Sequence, residues 1–325
     1  MFYYELALLK SPLSNLTYQS ESQIEIGTKV QVKLQRRKVL NDAVVIKEVE
    51  KPSFKCVSIE EITSEYYDEK MLQVSSFISQ YYVSSLGEAL SIYNAYNSEY
   101  KAQENEIKID CDINLSKEQQ EAFDFLNNKK QALLFANTGS GKTEIYIKVI
   151  EQHIKEGKQA VLLMPEISLT PQMQKRLEKV FGASIAIWHS KITKKKKETI
   201  LQGLQEGSIK LIAGARSALF LPYSNLGAII VDEEHDESYK SDSKPRLHTK
   251  DLSIYMAKKL DIQLVLGSAT ASAGSFSKVP FFRLDKTFYD TSKKYEFDEG
   301  ESCLTTKIIN KIGSTLDTDN QVIVF

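Results

Sequence analysis

Residues 131–143 read Gln-Ala-Leu-Leu-Phe-Ala-Asn-Thr-Gly-Ser-Gly-Lys-Thr, an apolar run that passes through a glycine-rich turn into an amphipathic stretch. A run such as Gln131 to Phe135 suits a strand covered on both faces, and the spacing after Thr143 suits a helix. Between them, Ala136-Asn137-Thr138-Gly139-Ser140-Gly141-Lys142-Thr143 has the composition of a phosphate loop. Glycines let backbone N–H groups converge on phosphate oxygens, and the helix N-terminus adds roughly half a positive charge. Lys142 is placed for the β- and γ-phosphates and Thr143 for Mg²⁺. Position one is Ala rather than Gly. A plain Gly/Ser turn with a solvated lysine is the alternative, and the presence of both flanking elements argues against it.

The same texture extends outward from the loop. Apolar runs at Gln159–Met164, Ser184–Trp188, Ile209–Ala213, Leu226–Val231 and Ile262–Leu266 alternate with amphipathic stretches. That alternation predicts an α/β fold, a doubly wound parallel sheet with helical crossovers, over residues 115–285. The run at 226–231 ends in Asp232-Glu233-Glu234-His235. A carboxylate at the tip of a neighbouring strand suits Mg²⁺, and the next one suits orienting an attacking water. Asp232 is therefore assigned to the metal and Glu233 to the water, with Glu234 the less certain of the two glutamates. Such a cluster alone reads as a solvated loop. About ninety residues after a phosphate loop, it reads as the other half of a nucleotide site.

The 325 residues suffice for two domains with cores of their own. Residues 1–96 read as short strands (Met1–Leu9, Lys29–Leu34, Asp42–Glu48) followed by helices at Glu69–Tyr82 and Leu86–Tyr96. This is a small β-rich α+β domain, and the polar stretch 97–114 reads as a linker. Lys and Arg total 42 against 43 Asp and Glu, a net charge of −1, which excludes wholesale phosphate neutralisation but not a local basic groove. No run approaches the ~20 apolar residues that span a bilayer, and the N-terminus lacks a basic region before its apolar residues. Cys56, Cys111 and Cys303 form neither a disulfide ladder nor a zinc cluster. A cytoplasmic protein without a membrane partner is expected. Lys194–Lys197 reads as a solvated helix face.

Thr138-Gly-Ser-Gly-Lys-Thr143, Asp232-Glu-Glu-His235 and Gly267-Ser268-Ala269-Thr270 together resemble superfamily 2 helicases. More narrowly, residues 161–172, Gly214-Ala215-Arg216-Ser217-Ala218-Leu219-Phe220 and Asp232 to Lys240 resemble PriA-type replication-restart helicases. The resemblance is dense over 115–275 and faint before it. It implies a RecA-like motor lobe, ATP and Mg²⁺ as ligands, 3′-to-5′ DNA unwinding at stalled forks, and forked and single-stranded DNA as partners. Other primosome proteins and single-strand-binding protein are implied as further partners. Pro165–Gln172, Arg216, Ser268 and Thr270 are implied to meet DNA or couple to it. Within 235–250, His235, Tyr239 and Arg246 are the candidates for linking DNA contact to hydrolysis, and Lys244-Pro245-Arg246-Leu247-His248 stands where aromatic residues are expected.

Gln119 carries two readings, the far end of a helix capping box begun by Ser116 and an adenine-reading amide. The N-terminal domain resembles a DNA 3′-end-binding domain, with Leu16-Thr17-Tyr18 lacking the usual carboxylate; Arg36, Arg37 and Lys38 are placed for DNA backbone. The linker is too short for the family's winged helix. Zinc is expected in the full-length family, but this chain has no Cys-x-x-Cys series for it. Residues 286–325 read as a connection to a second lobe, with Gln321–Phe325 resembling its first strand. On this reading the chain is a fragment that binds ATP and DNA, hydrolyses ATP slowly and does not unwind duplex; the alternatives are another superfamily 2 DNA translocase and an ATP-binding DNA-recognition fragment without turnover.

Overall fold

The computed structural model describes residues 1–34, 39–103, 109, 111–165, 170–286 and 305–317. Arg36, Arg37 and Lys38, residues 166–169, Cys303 and residues 321–325, all singled out above, lie outside the described residues.

Alternating burial builds the first sheet. Its strands are β1 (Phe2–Leu8), β2 (Leu16–Ser20), β3 (Thr28–Lys33), β4 (Leu40–Glu48), β5 (Val57–Tyr66) and β6 (Tyr96–Asn97), in the order β2-β1-β4-β3-β5-β6. A short parallel pairing of β2 with β5, Tyr18 opposite Val57, closes the sheet on itself. Tyr4, Leu6, Leu8, Tyr18, Val30, Val32, Ala43 and Val45 fill the interior. Strands β2 and β5 went unread in the sequence because their burial is weak or one-sided: in β5 no residue is fully buried. Helix α1 (Glu69–Tyr81) is capped by Asp68, and α2 (Leu86–Leu90) by a capping box of Ser85 and Glu88. The second helix is thus shorter than the expected Leu86–Tyr96, whose end turns into β6.

The second sheet is wholly parallel. Strands β7 (Gln131–Ala136), β8 (Gln159–Leu163), β9 (Ile185–Trp188), β10 (Leu211–Gly214), β11 (Leu226–Val231), β12 (Gln263–Ser268) and β13 (Phe281–Leu284) lie in the order β13-β7-β12-β11-β8-β10-β9. Helices α3 (Lys117–Asn127), α4 (Lys142–Lys155), α5 (Pro171–Phe181), α6 (Lys194–Glu206), α7 (Thr249–Leu260) and α8 (Ala273–Lys278) connect them. This is the doubly wound parallel sheet that the alternation predicted, with β13 as an addition, and it has the form of the RecA-like lobe that the resemblance implied. The order puts β12 between β7 and β11, so the three motifs at their carboxyl ends meet along one edge. Helix α4 buries Ile145, Tyr146, Ile147, Val149, Ile150 and Ile154, largely one face, at roughly 1.5–3 kcal/mol per large side chain. At the start of α6, Lys194, Lys195 and Lys196 are exposed, while Lys197 lies over the Trp188 ring at 5.9 Å.

The first sheet and its helices share a core with the parallel lobe. Tyr67, Met71, Val74, Ile78, Leu90 and Tyr93 belong to one buried cluster with Phe220, Leu221 and Tyr223. Polar contacts fix the seam: the Tyr96 hydroxyl donates to the Tyr223 carbonyl at 2.5 Å, and the Asn97 N–H to Gln205 Oε1 at 2.8 Å. The Phe77 ring stacks on Tyr255 of α7 with centroids 3.7 Å apart. Beyond residue 288 lies a separate unit, in which helix α9 (Thr306–Leu316) is described, with Thr305 accepting from the Ile308 N–H. Among the described residues no helix is long and apolar enough to cross a membrane.

Candidate active site

The phosphate loop leaves the buried end of β7 and is pinned before it turns. Asn137 donates its N–H to the Leu284 carbonyl at 3.2 Å and its side-chain amide to the Asp285 carbonyl at 2.7 Å, fastening the loop to β13. Gly139 and Gly141 hold φ of +79° and +81°, which a side chain would strain. At Gly141 an added Cβ would also meet Gln119 Nε2 at 2.2 Å. Gln119 is buried and occupied at both ends. Its Oε1 accepts from the Ser116 N–H at 2.9 Å, completing the capping box, and its Nε2 donates to the Ser140 carbonyl at 3.0 Å. The capping reading is therefore realised, and the same amide also braces the loop.

Across the end of β12 stands the acidic box. Lys142 Nζ pairs with Glu233 Oε1 at 2.9 Å. Glu233 holds φ of +45°, an uncommon conformation for a residue with a side chain, which turns its carboxylate from the strand end toward the loop. Asp232 is buried, with Oδ1 accepting from the Tyr146 hydroxyl at 2.9 Å. Burial pushes its carboxyl up, against the pull of the Lys142 charge, and the Glu233 charge adds to the rise. Tyr146 sits one turn into α4, and Gly267 of β12 leaves it room: a Cβ there would lie 1.6 Å from the hydroxyl. His235 closes the group. Its Nδ1 lies 2.8 Å from Ser268 Oγ, the Thr270 hydroxyl is 3.2 Å from its Nε2, and Ser268 Oγ accepts from the Thr270 N–H at 2.9 Å. Thus Lys142, Asp232, Glu233, His235, Ser268 and Thr270, scattered over 129 positions of sequence, are brought together.

Glu234, left uncertain by the sequence, is the most tightly held of the acidic residues. It is fully buried and accepts from Lys250 Nζ at 2.8 Å, the Ser272 N–H at 2.7 Å, the Ser272 hydroxyl at 3.1 Å and the Ser275 hydroxyl at 2.7 Å. Burial alone would raise its carboxyl; the hydrogen bonds and the Lys250 charge outweigh it and hold the group below its ordinary range. One carboxylate thereby ties β11 to α7 and α8. Sequence reasoning missed this set together with Tyr146; the available signal was two serines three apart just past Gly267–Thr270.

Other candidates sit differently. Tyr239, a candidate for linking DNA contact to hydrolysis, is fully buried and donates its hydroxyl to the Asp232 carbonyl at 2.7 Å. With no exposed ring face it cannot receive a base here; its place is behind the acidic box. Arg216 donates Nη1 to the Ser238 and Lys240 carbonyls at 3.2 and 2.5 Å, so its bonds hold the loop after the box rather than a carboxylate. Arg246 is exposed on a short hairpin closed by an antiparallel bridge between Lys240 and His248. Tyr18, placed in the 3′-end segment, is buried and donates to the Lys33 carbonyl at 3.1 Å.

A polyphosphate with a divalent cation fits these residues. The first N–H groups of α4 have no carbonyl four residues back to bond. Ser140 Oγ is buried without a hydrogen-bond partner among the described residues. Gly139 faces open space. The donor set of amides, a lysine and hydroxyls is what phosphate oxygens require, and the Asp232 carboxylate beside it is a hard oxygen ligand.

The DEAD/DEAH box helicase family matches residues 116–278, half of the chain, and the family described as 3'DNA-binding domain (3'BD) matches residues 8–93. The replication restart protein PriA of Helicobacter pylori is 40% identical over 328 residues, covering all of this chain and 52% of the relative. That of Haemophilus influenzae is 44% identical over 167 residues, 47% of this chain and 23% of the relative. The chain thus spans about half the length of the curated relatives it matches over its whole extent. A solved structure of RecG bound to a three-way DNA junction superposes with a TM-score of 0.42 at 19% identity, covering 58% of this chain and 27% of that one.

Proposed function

The chain belongs to the DEAD/DEAH box helicase family, and on that footing we propose that it is the ATP-binding, DNA-engaging part of a replication-restart helicase with 3′-to-5′ polarity. The observation that carries this reading is the Lys142–Glu233 pair, 2.9 Å apart across the end of β12, with buried Asp232 beside it. A lysine on a glycine loop facing two adjacent carboxylates, one buried and one half-exposed, is suited to phosphoryl transfer to water.

In this reading the N–H groups of 138–143 and Lys142 hold the phosphates. Thr143 and Asp232 hold Mg²⁺, which when bound supplies charge neutralisation at the phosphates. When the nucleotide arrives, Lys142 exchanges Glu233 for phosphate oxygen, and Glu233 is released to orient a water and accept its proton. Asp232, pushed up by burial, gains a cation that favours its ionised form. His235, through Ser268 and Thr270, links the box to the end of β12, and movement there reports nucleotide state to DNA-facing segments. Residues 1–96 form a DNA-binding domain preferring branched or 3′-ended DNA, 97–114 a linker and 115–285 the motor lobe. The proposal includes slow hydrolysis by residues 1–325 alone.

The test is ATP hydrolysis and DNA binding by the chain with forked, 3′-ended and blunt duplex DNA at matched salt. Nucleotide binding with a preference for forks and 3′-ends is the expected result. Equal affinity for forks and blunt duplex would overturn the preference, and no nucleotide binding would overturn the site.

A further inference from the structure

A row of stacked rings crosses from the parallel lobe to the surface. Tyr255 of α7 stacks on Phe77 of α1 (centroids 3.7 Å, planes 8° apart), and Phe77 stacks on Tyr81 (5.2 Å, 17°). Tyr82 makes an edge-to-face contact with Tyr81, centroids 4.9 Å apart and planes at 78°. The row ends in solvent: Tyr81 is 67% exposed, and the neighbouring Val83 is 85% exposed with φ of +51°. An aromatic stack that stops at an exposed ring has room for one more flat π-system, and a nucleobase has the required shape.

The surroundings carry the matching charge. The hairpin between Lys240 and His248 abuts the end of α1, where the His248 N–H donates to the Tyr82 hydroxyl at 3.4 Å. Its exposed side chains include Lys240, Lys244 and Arg246, with Asp242 the acidic member. None of the three cations makes an ion pair among the described residues. Beside the end of α1 opens a cavity of about 430 Å³, lined by Pro12, Ser14, Val83 and Ser84 among others, with Lys244 as the hairpin's contribution. Glu88 also lines it, with its carboxylate accepting from the Ser85 N–H inside the α2 capping box.

We propose that the end of α1 and this hairpin form a contact for single-stranded DNA, in which a base stacks on Tyr81 while the backbone phosphates run along Lys244 and Arg246. This rests on the DNA-binding reading above and adds a location to it. The site takes a strand without sequence preference, since a ring face and cations distinguish no base edge.

The experiment measures binding of fluorescein-labelled oligo-dT to residues 1–325 by anisotropy at several salt concentrations. It includes Tyr81→Ala, Tyr81→Phe and Lys244→Gln, with circular dichroism to verify folding. Because Tyr81 is exposed at the last position of α1, its truncation leaves the core intact. Tyr81→Ala is expected to weaken binding roughly 5- to 100-fold with an unchanged salt slope, and Tyr81→Phe to retain it. Lys244→Gln is expected to lower the salt slope by about 0.7. A 2-aminopurine in the oligonucleotide should be quenched by the native chain and less so by Tyr81→Ala. If the native chain binds and Tyr81→Ala binds equally well, the contact is wrong and the DNA-binding reading survives. If the native chain binds no DNA of any form, both fall.

Discussion

The ammonium of Lys142 and the carboxylate of Glu233 are 2.9 Å apart, so the cation of the phosphate loop is already neutralised by the residue proposed to activate water. Each holds the other in the geometry that a nucleotide would inherit, and each must let go for the reaction to proceed. Lys142→Ala is expected to reduce ATP affinity roughly 10- to 100-fold or more, the loss of a charge-assisted contact, with little change in fold because Glu233 is half-exposed. Calorimetric titration with Mg·ATP checks it; unchanged affinity in a folded variant would sink the phosphate-loop assignment.

Asp232→Asn should raise the melting temperature of the nucleotide-free chain while removing Mg-dependent nucleotide binding. The carboxyl is pushed up by burial, so its stabilising contribution is present below the unfolded carboxylate range and is lost as pH rises through the higher folded value. Once ionised, the buried group is a burden, which a neutral amide of the same shape relieves, and the Tyr146 hydroxyl keeps an acceptor. Scanning calorimetry at pH 7 showing a lower melting temperature would contradict this.

Glu234→Ala should be far more damaging than its absence from any proposed chemical step suggests. It strands Lys250 in the interior beside three hydroxyl and amide groups that lose their acceptor, at a cost of about 3–5 kcal/mol. The native carboxyl lies below its ordinary value near 4.5, so its stabilisation is present above that value and lost as pH falls through the folded one. Urea unfolding between pH 3 and pH 6 should show an acid loss of stability in the native chain that is smaller in a Glu234→Gln variant, the remainder coming from other carboxyls held low, such as Glu151 and Asp251.

Gly141→Ala tests the loop's backbone. The substitution forces a side chain into φ of +81° and against Gln119 Nε2, so it should lose about 1–2 kcal/mol and weaken nucleotide binding. Pairing it with Gln119→Ala removes the clash but not the strained dihedral, and should recover only part of the loss in chemical unfolding.

Much of the parallel lobe is legible in sequence because its strands are buried on both faces and therefore uninterrupted. Gln131–Ala136 and Leu226–Val231 agree with β7 and β11 to within a residue. The closed sheet is less legible, since β5 alternates poorly and β2 is set by pairing to β1 and β5 rather than by its own pattern. At the site, spacing found the residues that face a ligand. It could not find Tyr146, Lys250 or Ser275, which face other side chains and look in sequence like ordinary helix positions. It also misplaced Tyr239, because nothing local distinguishes a tyrosine that points into the core from one that points out.

The seam joining the first sheet's helices to the lobe has a bearing on modularity. Phe220, Leu221 and Tyr223 are buried against Tyr93 and its neighbours, and Tyr96 and Asn97 are bonded across the seam. A chain cut near residue 97 would leave these aromatic and aliphatic side chains as a sticky face on each half. The two parts are therefore not interchangeable cassettes that could be shuffled onto other partners. A lineage that lost the first sheet would have to repaint that face before the lobe could live alone in solution.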